Sequence, residues 1–149
     1  MKAGTVAAAL ALLCVSVPAS AGVFADDLSR CLVAQTSDKD KAALVRWMFA
    51  TVSLNPDVAD ISSMGDDDRN KINRAMGALV QRLVTQSCRE QTTVAVKNEG
   101  GGVFAISFQV LGQVAAQSML AHPSVSKGAG AFTQYFDKKA FEELGLPTQ

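Results

Sequence analysis

The sequence predicts an all-α fold: a small single-domain bundle of four to five helices with one disulfide. Three observations carry that expectation. Apolar residues recur at three- and four-residue steps along most of the chain, the period of an amphipathic helix. No stretch alternates strictly between apolar and polar residues, as a half-buried strand does. Finally, Asn55-Pro56, Gly100-Gly101-Gly102 and His122-Pro123 cut the pattern into helix-sized pieces.

Residues 1–21 stand apart from this pattern. Lys2 gives a positive start, Val6 to Val17 form an apolar stretch, and Pro18-Ala19-Ser20-Ala21 ends in the small-x-small spacing that a signal peptidase reads. The apolar run is about 12 residues, against roughly 20 for a helix that spans a bilayer. It reads as an export leader cut between Ala21 and Gly22, with a cut after Ala25 as the alternative. Cys14 follows Leu13, where lipid attachment needs a small residue, so a lipoprotein is not expected. The expected organisation is a cleaved signal peptide over 1–21 and one helical domain over 22–149. The expected destination is the periplasm or the exterior.

Loss of the leader changes the inventory. The 14 basic and 14 acidic side chains of the whole chain lose Lys2, which leaves a formal charge of −1. No Lys/Arg run occurs, so neither nucleic acid nor an anionic membrane surface is an expected partner. Cys31 and Cys88 are the two remaining thiols, and an exported chain with two thiols reads as one bridge. A redox pair would sit two residues apart. In the chain-entropy picture, closing so long a loop stabilises by about 4 kcal/mol, less any strain.

The elements follow in order. Asp26-Asp27-Leu28 opens a short first helix, its acidic pair suited to the positive helix end, with Leu28, Cys31 and Leu32 on one side. Ser37 to Asp40 is a capping-box start for a second helix running to Leu54, with Leu44, Trp47, Met48, Thr51 and Val52 on its apolar stripe. Residues 55–65 form a connector whose Val58, Ile61 and Met64 are expected in the core. A long third helix runs from Asp66 at least to Arg89 on Ile72, Met76, Leu79, Val80, Leu83 and Val84, with Arg69 and Arg82 at solvent or boundary positions. The β-branched run from Thr92 to Val96 extends or kinks it.

After the glycines, a fourth helix from Val103 to Ala121 is apolar around most of its circumference, which marks it as the central, buried helix. It has too many polar residues, three glutamines and two serines, for a membrane span. A Gly/Ser-containing loop follows His122-Pro123. Phe132, Tyr135 and Phe136 then form one helical turn, and Asp137 caps a last helix through Leu144 with Gly145 just beyond. Trp47, Phe49, Phe104, Phe108, Phe132, Phe136, Phe141, Met48, Met76 and Met119 read as core.

No catalytic, cofactor or metal residue is predicted. His122 is the single histidine, which argues against zinc and against a Ser–His–Asp triad, and its expected role is to cap a helix end. Asp57, Asp60, Asp66, Asp67 and Asp68 lack the spacing of a calcium loop; the last three read as first-turn acids. Arg46 has apolar helix neighbours (Ala42, Ala43, Phe49, Ala50), so it either reaches to water or pairs with Glu90 or Glu99. Gln109, Gln113 and Gln117 form a polar stripe on the fourth helix. Arg46, Gln109 and Gln113 are therefore the candidate binding residues.

The runs Arg30-Cys31-Leu32-Val33, Leu44-Val45-Arg46-Trp47, Thr85-Gln86-Ser87-Cys88-Arg89 and Val110-Leu111-Gly112-Gln113-Val114 resemble a group of small exported bacterial all-α proteins of unknown function. That resemblance implies bacterial export and brings no ligand or catalytic residue. The expected function is an exported non-catalytic accessory module that binds an envelope protein or a small apolar ligand. The rival is a small envelope hydrolase using carboxylates near Asp57 to Asp68, or Glu90 and Glu99.

Overall fold

The computed structural model describes residues 22–145, so the leader expectation for 1–21 lies outside the described residues. Within them the chain is helical, without strands. Seven α-helices follow in order: α1 (Val23–Ala34), α2 (Asp38–Val52), α3 (Asp66–Arg82), α4 (Arg89–Glu99), α5 (Val103–Leu120), α6 (Pro123–Gly130) and α7 (Lys138–Glu143). Short 3-10 turns occur at Ala59–Ile61 and Ala131–Tyr135, and a π turn at Leu83–Ser87.

The expected count of four to five helices is too low, for two local reasons. The long third helix is broken at Cys88. There the backbone N–H donates to Leu83 O at 2.8 Å, five residues back rather than four, and Cys88 leaves helical geometry at φ −119° and ψ 32°. The expected loop after Pro123 is instead α6. Proline at the first helical position needs no N–H partner, and His122 Nδ1 accepts from Ser124 N at 3.3 Å. His122 thus caps the start of α6 through an acceptor nitrogen, whereas the sequence reading had it serve the carbonyls that end the preceding helix.

The centre of the bundle is α1, not α5. Ala25, Leu28, Ser29 and Leu32 are all buried on one side of α1, which packs against α5, α4 and the π turn. Each fully buried leucine contributes about 1.5–3 kcal/mol. By contrast α5 buries a single stripe, Val103, Ser107, Leu111 and Ala115, and turns Gln109, Gln113 and Gln117 to solvent. By length and composition α5 is long and apolar enough to cross a membrane, with 22% of it buried. In this fold its small buried residues seat it on α1. There Ser107 Oγ donates to Ala25 O at 3.1 Å, and Ser29 Oγ donates to the same carbonyl at 2.7 Å. Ser107 is a fully buried hydroxyl with its hydrogen bond made, which the general apolarity of the segment had hidden.

The two ends of α1 are held by residues far along the chain. Gly22, its N-cap, supplies no side chain. The first-turn donors are taken by Glu99, the last residue of α4: Phe24 N donates to Oε1 and Ala25 N to Oε2, each at 3.0 Å. Near the other end, Cys31 and Cys88 form a disulfide across 57 residues, with Cα atoms 5.9 Å apart. The first helix begins at Val23, earlier than the acidic pair suggested, because this cap comes from outside it.

Around this centre, α2 bridges α3 to α5. Its capping box is present: Ser37 Oγ accepts from Asp40 N, and Asp40 Oδ2 accepts from Ser37 N at 2.9 Å. Arg69 fastens α3 to α2. It donates to Ala50 O, to Ser53 Oγ at 3.0 Å and to Met64 O at 3.3 Å, so it also fixes the connector. That connector keeps Val58 and Met64 half-buried but exposes Ile61, which sits in the 3-10 turn where three residues cannot turn every side chain inward. The aromatic core is also smaller than expected. Phe49 is exposed, and beyond α5 Phe132, Tyr135 and Phe136 project from a segment whose rings pack mainly on each other, Phe136 stacked on Phe141 at 4.7 Å. Asp137 caps α7 as expected, through Oδ1 to Lys139 N and Ala140 N.

Replacing both cysteines (Cys31→Ala with Cys88→Ala) is expected to lower unfolding stability by about 2–4 kcal/mol. Urea unfolding of the purified pair against the oxidised parent measures it.

Candidate functional site

Where α2 and α3 lie side by side they leave an open groove of about 600 Å³. Its floor is made of small and aliphatic side chains: Ala42 and Ala43 from α2, and Ile72, Ala75, Ala78 and Leu79 from α3. These residues line up because helical positions three, four and seven apart share a face. The rims carry Lys39 and Arg46 on α2 and Lys71 and Arg82 on α3, against one lining carboxylate, Asp40. The groove is therefore apolar below and cationic above.

Asp40 is already committed. Its Oδ2 accepts from Arg82 Nη2 at 2.8 Å and from Ser37 N and Oγ at 2.9 and 2.7 Å. Burial alone would raise its pKa, but the Ser37 hydrogen bonds and the Arg82 guanidinium outweigh that and hold the carboxyl below its ordinary value. Arg82 also donates to Ser87 Oγ at 3.3 Å, which ties this rim to the π turn. Among the described residues Lys71 pairs only with exposed Asp68, at 3.2 Å, a surface bond of small worth. Lys39 and Arg46 have no side-chain partner among the described residues and stand free to meet an incoming anion.

Arg46 thus lies in the groove and reaches to water, the first of its two expected roles, and does not pair with Glu90 or Glu99. Glu99 is spent on the first turn of α1, and Glu90 is exposed at the start of α4. Both carboxylates belong to a helix that packs on α1, whereas Arg46 faces α3. Gln109, Gln113 and Gln117 lie exposed along α5 and do not join Arg46. The sequence reading missed Lys39, Lys71 and Arg82. Their common signal was a lysine or arginine flanking an alanine-rich helix face on two successive helices.

The carboxylates of the rival hydrolase do not converge. Asp66, Asp67 and Asp68 occupy the exposed first turn of α3, as first-turn acids, and Asp57 and Asp60 lie exposed in the connector. Glu90 does face a small groove of about 230 Å³ with Asp27, but Asp27 is paired with Arg30 and both carboxylates are wet. No group of three or more metal-ligating side chains occurs among the described residues. The grooves seen here are lined by residues other than Trp47, Phe104 and Phe108, the aromatic residues that read as core from the sequence. Set against known protein families, curated proteins and solved structures, the chain matches none.

Asp40 joins the α2 cap to the groove rim, so Asp40→Asn is expected to cost about 1 kcal/mol at neutral pH. The sign follows from its lowered pKa. Its contribution is whole above the ordinary carboxylate value of about 3.9 and is lost as pH falls through the lower folded value. Denaturant melts of parent and variant should therefore differ at pH 7 and converge in strong acid.

Proposed function

We propose that the chain is an exported, non-catalytic binding module whose α2–α3 groove receives an acidic amphipathic helix from an envelope protein. The observation that carries this reading is the spread of the rim cations. At 1.5 Å per helical residue, Lys39 and Arg46 stand about 10 Å apart along α2, and Lys71 and Arg82 about 16 Å apart along α3. A single anionic head group cannot reach such a row on both rims. A helix with acids at three- and four-residue steps on either side of an apolar stripe can.

The floor supports the same occupant. Ala42, Ala43, Ala75 and Ala78 have short side chains, which let a third helix approach to the usual 8–10 Å interaxial distance. An open groove would leave much of a small apolar ligand in water, where enclosed sites bury about 70–90% of such a ligand. Export is supported by the leader-like composition of residues 1–21 and by a disulfide, which persists in an oxidising compartment. Charge complementarity also sets the expected kinetics, with encounter steered and salt-dependent.

Fluorescence anisotropy with a labelled 18-residue peptide, a Leu/Ala stripe flanked by glutamates, tests the reading. Binding is expected at low ionic strength, to weaken as salt rises and to fall at least tenfold for Lys39→Glu with Arg46→Glu. A peptide with lysines in place of the glutamates should not bind the parent. Equal binding to the parent and the charge-reversed chain overturns the groove as the site. Dodecanoate binding in the groove without peptide binding overturns the helical occupant.

A further inference from the structure

The contact between Gly22 and Glu99 joins the start of the described chain to the end of α4, and the groove makes no use of it. We propose that the mature chain begins at Gly22, by hydrolysis of the Ala21–Gly22 bond, and that the Glu99 carboxylate holds the α-amino group freed there.

Two cuts were open on sequence grounds, and the fold separates them. A cut after Ala25 would remove Phe24 and Ala25, whose N–H groups are the two donors to Glu99. It would also remove a residue of the core: Ala25 is fully buried, and its carbonyl accepts from both Ser29 and Ser107. Residues 22–25 are thus integral to α1 and its seat on α5. A cut before Gly22 leaves all of these interactions in place.

Glycine at position 22 fits this arrangement for a steric reason. A Cβ there would overlap Glu99 Oε1 and Cδ, well inside contact distance. Glu99 could swing aside only by giving up both hydrogen bonds to the first turn. By covalent geometry, a Cβ so near the carboxylate puts the Gly22 nitrogen within about 4.6 Å of Oε1. In the uncut chain that nitrogen is a neutral amide. Hydrolysis adds water across the bond: Ala21 leaves with a carboxylate, and Gly22 keeps an amine that takes up a proton. A lone ammonium at a helix N-terminus opposes the helix dipole, and the Glu99 carboxylate offsets that repulsion.

The proposal rests on the export reading, and its test separates the two. The full chain is exported from a bacterial host, and the product is read by intact mass and N-terminal sequencing. The expected start is Gly-Val-Phe-Ala. A start at Asp26 overturns the inference alone, whereas a product that keeps residues 1–21 overturns export as well. The mature protein is then treated by selective transamination, which turns the α-amine into an uncharged keto group. Its melting temperature is expected to drop by about 2–4 °C, with no drop in the Glu99→Gln variant. An equal change in both, or none in the parent, overturns the capture of the amine by Glu99.

Discussion

The Cys31–Cys88 bond fixes α1 against the π turn, and the other helices take their positions from that junction. Cys88 is fully buried and marks the point where α3 gives way to α4, so one covalent link orients both. At the far end of α1, Glu99 returns from the end of α4 to satisfy the first turn. The segment from Cys88 to Glu99 therefore spans α1 from near its C-terminal half to its beginning. This double attachment explains how a helix of only 12 residues can serve as a core. Isolated helices of that length are marginal in water, and their stability comes from what they pack on.

Much of this architecture was legible in the sequence where local chemistry decides it. Ser37 with Asp40, Asn55-Pro56, the glycine run after Glu99 and Asp137 ahead of α7 each act on backbone groups within four residues. The all-helical class and the cysteine pairing were legible for similar reasons, one from periodicity and one from a two-thiol inventory. The order of burial was not legible. High apolarity singled out α5, but a helix becomes central by having close neighbours on several sides. Small residues such as Ala25, Ser29 and Ser107 permit those approaches without raising hydropathy. Sequence periodicity also passed smoothly through Leu83 to Cys88, because an i to i+5 turn leaves the residue types unchanged and shifts only their facing.

At the groove, the sequence exposed one member and concealed the assembly. Arg46 stood out because its helix neighbours are apolar. Those same alanines turn out to be the floor shared with α3, a relation that arises only when two helices pair. Arg69 shows how that pairing is kept. Its guanidinium binds backbone and side-chain oxygens from α2 and the connector, an arrangement that a lysine's single ammonium could not reproduce. The wall of the groove is thus set by one arginine and its cationic character by others, and Arg82 joins the two functions by bonding Asp40 and Ser87.

The π turn also governs how this chain can change in length. Loops usually absorb insertions and deletions, since they move little besides themselves. Leu83–Ser87 holds one residue more than an α-helical turn, so losing a residue here would close the helix smoothly and raise no local objection. A residue lost from the regular turns of α3 would instead rotate the π turn and α4 by about 100° relative to what precedes it. Cys88 would swing away from Cys31, and Glu99 would leave the first turn of α1. The π turn is therefore the one point in this helical stretch where the chain's length is negotiable.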